Sequence, residues 1–136
     1  MKISSIMTRR VVTVEMDDSL QIISEIFENV KFHHILVVEK QKLVGVISDR
    51  DFIKALSPFL DTPSEEHRDI TTLDKKAHQI MNRTPITVDA ETSIEEASNL
   101  LLENNISCLP VISPQGSVEG IVTWKDILKF HLKNTS

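Results

Sequence analysis

The sequence predicts a mixed α/β (α+β) fold made of two copies of one strand–helix–strand–strand–helix unit. Three observations carry this prediction. Residues 6–39, IMTRRVVTVEMDDSLQIISEIFENVKFHHILVVE, realign on residues 80–113, IMNRTPITVDAETSIEEASNLLLENNISCLPVIS: Met7 meets Met81, Thr13 meets Thr87 and Ser19 meets Ser93, each 74 positions on. After an extended opening, each copy places apolar residues at helical spacing. Each copy then carries two β-branched runs around a short polar turn.

The elements follow in order. The opening stretches are VVTV (11–14) and PITV (85–88). Leu20, Ile23, Phe27 and Val30 share one helical face, as do Ile94, Ala97, Leu100 and Leu101. Ser93-Ile94-Glu95-Glu96 has capping-box spacing, which marks the start of the second of these helices. The runs ILVVEKQKLVGVIS (35–48) and LPVISPQGSVEGIVT (109–123) read as hairpins with tips at Lys40-Gln41-Lys42 and Pro114-Gln115-Gly116. Gly45 meets Gly120 at an offset of 75, so the second turn holds one more residue. Closing helices begin at DFIKAL (51–56) and DILKFHL (126–132). Residues 57–79 have no counterpart and read as an exposed connection with a helical turn before Ile80. The expected layout is repeat one over 1–56, a linker over 57–79 and repeat two over 80–136. A repeat of about fifty residues is too small to close a core alone, so the halves are expected to depend on each other.

Composition narrows the function classes. With 136 residues, 15 basic against 20 acidic side chains and no basic run, the chain lacks the clustered Lys and Arg of a nucleic-acid platform. Its apolar runs fall far short of the ~20 residues of a membrane span, so no membrane partner is expected. The start MKISSIMTRR has no signal-peptide core, and the single cysteine, Cys108, suits a reducing cytoplasm.

The candidate site lies in GVISDRD (45–51) and GIVTWKD (120–126), which share glycine, an apolar pair, a hydroxyl, a base and Asp in one order. Ser48–Asp51 and Thr123–Asp126 fit capping boxes, which need no ligand. Capping leaves Arg50 and Lys125 unexplained, because a cation in the first helical turn opposes the helix dipole by about 0.3–1 kcal/mol. A nucleotide accounts for all of these residues. Free N–H groups and a base suit phosphate, a carboxylate suits the 2′ and 3′ hydroxyls of ribose, and glycine allows close approach. On chemistry alone, an anion site and a plain helix cap both stand.

The doubled IM…TV opening, the NISCLPVI strand entry and the paired GVISDRD and GIVTWKD resemble a tandem cystathionine-β-synthase (CBS) domain pair, or Bateman module, over nearly all of the chain except 57–79. The resemblance implies two repeats about a pseudo-twofold axis, with a cleft holding two candidate sites for adenosine ligands. It assigns Asp51 and Asp126 to ribose and Ser48 and Thr123 to phosphate or ribose. It pairs Asp51 with Thr84, Pro85 and Ile86, pairs Asp126 with Arg10, Val11 and Val12, and lines the purine with Val46 and Ile121. His33 and His34 stand where some members place basic phosphate contacts, whereas the second copy has Ser107 and Cys108, so the first site is the better equipped for phosphate, and two filled sites or one tight with one weak or empty site both stand. The implied role is an adenine-nucleotide sensor (AMP, ADP or ATP, with S-adenosylmethionine or NAD as lesser candidates). The protein is expected to be non-catalytic, to take magnesium only on ATP, to form a homodimer and to act on an unknown client protein. Leu20, Ile23, Phe52 and Leu128 are its candidate core or interface residues. The alternative is a scaffold of the same fold whose sites bind nothing.

Rival chemistry finds little support. Adjacent His33 and His34 on a strand face opposite ways and cannot easily share a metal. His67, His78 and His131 read as surface residues, and Cys108 as a buried inert thiol. Trp124 suits either packing or stacking on a ligand. No nucleophile–base–orienter set or phosphate-binding glycine loop is present.

Overall fold

The computed structural model describes residues 1–29 and 33–134. Val30, expected on the first helix face, lies outside them. In chain order the elements are a 3₁₀ turn (Ile3–Ser5), β1 (Thr13–Glu15), α1 (Leu20–Asn29), β2 (His34–Glu39), β3 (Lys42–Ser48) and α2 (Asp49–Ala55). There follow α3 (His67–Ile70), a second 3₁₀ turn (Thr71–Asp74), α4 (Ala77–Ile80), α5 (Ile94–Glu103), β4 (Cys108–Ile112), β5 (Val118–Thr123) and α6 (Trp124–Lys133). No helix among the described residues is long and apolar enough to cross a membrane.

The chain forms two compact units, and neither is simply one repeat. One gathers Met1–Val11, Gln41–Leu43 and Pro85–Ser136 and is built on repeat two; the other gathers Val12–Lys40 and Val44–Thr84 and is built on repeat one. Each repeat's opening residues therefore fold with the other repeat's helices. The docking is the same in both units: Ile3 N–H donates to Thr92 O and Ile94 N–H to Met1 O, while Ala77 N–H donates to Asp18 O and Leu20 N–H to Lys75 O, at 2.8–2.9 Å. Buried Ile3 and Met7 join Ile94, Ala97, Leu101, Leu109, Val111, Val122 and Ile127 in one core. Ala77 and Met81 join Leu20, Ile23, Ile35, Val37, Ile47 and Phe52 in the other, where the Phe27 and Phe52 rings lie 5.4 Å apart. Leu20, Ile23 and Phe52 are thus core residues, whereas Leu128 is exposed.

In the unit built on repeat one, β1 pairs parallel with β2 (Thr13↔Leu36, Val14↔Val37, Glu15↔Val38) in a sheet of order β1-β2-β3. In the other unit, β4 and β5 are antiparallel, and the opening stretch contributes a single parallel bridge, Val88↔Val111. The cause is in the sequence. Leu36 N–H donates to Val12 O at 3.0 Å, and the matching position is Pro110, which has no N–H. The turns also differ as expected. Lys40 and Gln41 form a two-residue turn, both left-handed, whereas the second turn needs three residues and places Gly116 at φ 89°.

The connection is more ordered than an exposed linker. Residues 61–68 are exposed, but Leu73 and Ile80 pack on the core and Ala77 is fully buried. Asp69, just under the surface, accepts from the Ser57 hydroxyl at 2.5 Å and from Glu66 N–H at 2.8 Å. The Ser57 bond first, then the Glu66 amide, hold its carboxyl below the usual range against the opposing effect of burial. A depressed carboxyl stabilises the fold above its unfolded value of about 3.9 and loses that contribution as pH falls through the folded value. Acid unfolding followed by circular dichroism is therefore expected to be less steep below about pH 4 in Asp69→Asn than in the parent.

Two candidate ligand mouths

Each mouth forms where a buried strand turns directly into a helix. At the first, Ser48 caps α2: its hydroxyl accepts from Asp51 N–H at 3.0 Å, and Ser48 N–H donates to Asp51 Oδ2 at 3.1 Å. At the second, Thr123 caps α6 in the same way, accepting from Asp126 N–H at 3.4 Å and donating its own N–H to Asp126 Oδ2 at 3.0 Å. Both predicted boxes are complete. At α5 only half of the predicted box forms, with the Ser93 hydroxyl accepting from Glu96 N–H. Arg50 and Lys125 are exposed within the first turns of α2 and α6, and among the described residues neither makes an ion pair. Asp51 and Asp126 are half-buried beside them, and Val46 and Ile121 are buried in the strands behind.

The glycines serve the close approach expected of them, but toward backbone and core. Gly120 faces the Thr8 carbonyl and Gly45 faces Met81, so an added Cβ would lie 2.6 Å and 2.5 Å from them. Thr8 pairs with Ile121 through two 2.8 Å backbone bonds, and Asn82 pairs with Val46 at 2.8 and 3.1 Å.

This pairing exposes a residue the sequence reading missed. Thr8 Oγ1 donates to Asp126 at 3.0 Å (Oδ1) and 3.2 Å (Oδ2). Its counterpart Asn82 uses its side-chain oxygen to accept from Thr84 N–H instead. A polar residue directly after Met7 and Met81 in both openings was the available signal. Arg10 (exposed) and Val11 (half-buried) lie in the same unit as Asp126, and Thr84 lies with Asp51. Val12 and Ile86 pack against the cores of their own units, and Pro85 is half-buried.

The histidines are already engaged. His33 Nδ1 lies 2.9 Å from Asp49 Oδ2, a second residue the sequence reading passed over. Burial tends to raise the Asp49 carboxyl, but the His33 bond, the Arg50 backbone and both imidazoles outweigh it and leave the group below its usual range. Burial lowers His34, with Asp49 pulling the other way, so the neutral imidazole is favoured there. A neutral His34 beside Asp49 makes a weaker phosphate contact than an imidazolium ion would. In the second copy, burial first and Asp126 second push the Cys108 thiol up to about 12, which keeps it protonated and inert. Trp124 is anchored by its Nε1–H, which donates to Ile106 O at 3.0 Å. No cluster of three metal-ligating side chains occurs among the described residues.

The chain is 29% identical over 133 residues to a CBS domain-containing protein of Dictyostelium discoideum, covering 96% of this chain and 91% of that one. The crystal structure of CBSX2 in complex with AMP superposes with a TM-score of 0.83 at 27% identity, covering 99% and 98% of the two chains. That of protein MJ1225 from Methanocaldococcus jannaschii gives 0.84 at 27% identity, with 96% of this chain spanning 47% of the longer one. The CBS domain family matches residues 3–58 and 77–133. The chain belongs to the CBS domain family, as a tandem pair.

Proposed function

We propose that this protein is a regulatory module that binds an adenine nucleotide at the Asp51 and Asp126 mouths. The carrying observation is the pair of exposed cations, Arg50 and Lys125, without an ion-pair partner among the described residues, at matched helix starts where the dipole disfavours them. Phosphate removes that conflict, and the half-buried carboxylate beside each cation suits a ribose diol. The likeness to an AMP-bound CBS pair supports the same ligand class. The Asp126 mouth includes groups from both repeats, Thr8 from one and Thr123–Asp126 from the other. A ligand there favours whichever arrangement of these groups binds it better, and by linkage it passes that preference to a partner.

On this reading the protein is a cytoplasmic, non-catalytic homodimer acting on a client protein, with magnesium entering only on ATP. Ile53 and Leu128, exposed at matched positions of α2 and α6, supply apolar surface for a second copy.

AMP is expected to raise thermal stability, by about 2.7 kcal/mol at a hundredfold excess over Kd. Asp51→Ala with Asp126→Ala is expected to cost about 3 kcal/mol per mouth, over a hundredfold in affinity by calorimetry. If no adenosine ligand (AMP, ADP, ATP, S-adenosylmethionine or NAD) binds the parent chain, the scaffold reading takes its place.

A further inference from the structure

The two mouths are built alike but are not equally open. At Asp126, Oδ2 accepts from Thr123 N–H (3.0 Å) and the Thr123 hydroxyl (3.2 Å), and the one Thr8 hydroxyl proton goes to Oδ1 (3.0 Å), its nearer acceptor, with Oδ2 at 3.2 Å. A carboxylate oxygen offers two lone pairs, so Oδ2 is saturated and Oδ1 keeps a single open site. A vicinal diol needs two acceptors. At Asp51, Oδ2 accepts from Ser48 N–H alone, and no donor among the described residues reaches Oδ1. Asn82, in the place of Thr8, is turned to its own segment, where it accepts from Thr84 N–H.

We propose that the Thr8 hydroxyl is a built-in competitor for the ligand at Asp126, so that the mouths fill unequally and Asp51 fills first. This rests on the nucleotide reading above. The backbone of Thr8 is pinned to Ile121 on both sides, so the hydroxyl leaves Asp126 by rotation about χ1 without moving the chain. Ligand entry therefore exchanges one side-chain contact for another. The second mouth responds only at ligand levels above those that fill the first, which extends the concentration range the module can sense.

The test uses calorimetry with AMP on the full chain, together with thermal melts without ligand. Thr8→Val is expected to raise affinity at the Asp126 mouth about tenfold, the equivalent of one hydrogen bond to a charged group, and to leave the Asp51 mouth unchanged. Thr8→Ser, which keeps the hydroxyl, should bind as the parent does. Asn82→Thr should weaken the Asp51 mouth. Without ligand, Thr8→Val should lower Tm by about 3 °C in the parent and by much less in Asp126→Ala. Unchanged or weakened AMP affinity in Thr8→Val overturns the competitor role while leaving the nucleotide reading intact. Absence of AMP binding in every variant overturns both, and the melts still report whether the Thr8–Asp126 bond forms.

Discussion

Gly120→Ala is expected to destabilise the unit built on repeat two by about 3 kcal/mol, the upper end of overpacking costs. The new methyl carbon would sit 2.6 Å from the Thr8 carbonyl oxygen, 3.3 Å from its carbon and 3.4 Å from Arg9 Cα. All three are backbone atoms, so no rotamer change relieves the clash. The opening segment must move away from β5, which breaks one or both of the 2.8 Å bonds between Thr8 and Ile121 at about 1 kcal/mol each. Ile3 and Met7 lie just upstream of the pinned residue and belong to the same core, so the shift propagates into buried surface. Urea unfolding reads the loss as a lower midpoint at unchanged slope. A loss below about 1 kcal/mol would mean that the segment is not held by β5 as described.

Gly45→Ala at the matched position is expected to cost about 1 kcal/mol, although its nearest approach is shorter. The atoms in its way are Met81 Sδ at 2.5 Å, Cγ at 2.8 Å and Cβ at 3.0 Å. Rotation about χ1 and χ2 carries Sδ and Cγ away, which a peptide carbonyl cannot do, and leaves only the fixed Cβ at 3.0 Å to be relieved by a small shift. The two glycines hold equivalent positions, and the neighbour's stiffness sets the difference between them.

The repeats, their element order and both capping boxes were legible because each rests on local signals: spacing, β-branching, and hydroxyl–acid pairs three residues apart. The longer second turn was readable from the change of offset between Gly45 and Gly120. Two kinds of feature were hidden. Backbone consequences of single residues were one: Pro110 was visible, but that it removes the bond made by Leu36 required the Val12–Leu36 register. Long-range partners were the other. Thr8 and Asp126 are 118 residues apart, and no periodicity connects them. The connection reads as exposed because it has no counterpart and holds two prolines with mixed charges, yet Asp69, Leu73 and Ala77 each find a partner or a core position. At the mouths the sequence supplied the residue types, and the structure added the Thr8 bond to Asp126, which Asn82 does not make to Asp51.

The shared core positions yield the other large effect. Ile3 and Ala77 are matched positions of the two openings, and Ile23 and Ala97 are matched positions of α1 and α5. Because the openings fold with the opposite repeat's helix, one core holds Ile3 with Ala97 and the other holds Ala77 with Ile23. Each core therefore contains one large and one small side chain at this pair of positions, and all four are fully buried. Volume is conserved although the residues exchange places. Ile23→Ala leaves two alanines there and is expected to cost about 3–4 kcal/mol through lost burial and a cavity. Ala77→Ile alone brings two isoleucines together and is expected to cost about 2 kcal/mol from overpacking. Combined, Ile23→Ala with Ala77→Ile restores the large–small pairing in the opposite order. The double variant should be more stable than the Ile23→Ala single variant by about 1 kcal/mol or more, instead of less stable by the sum. Ile3→Ala with Ala97→Ile should behave alike in the other unit. Additive losses in both cycles, measured by urea unfolding, would show that the paired positions do not share a cavity and that the swapped openings are not what completes each core.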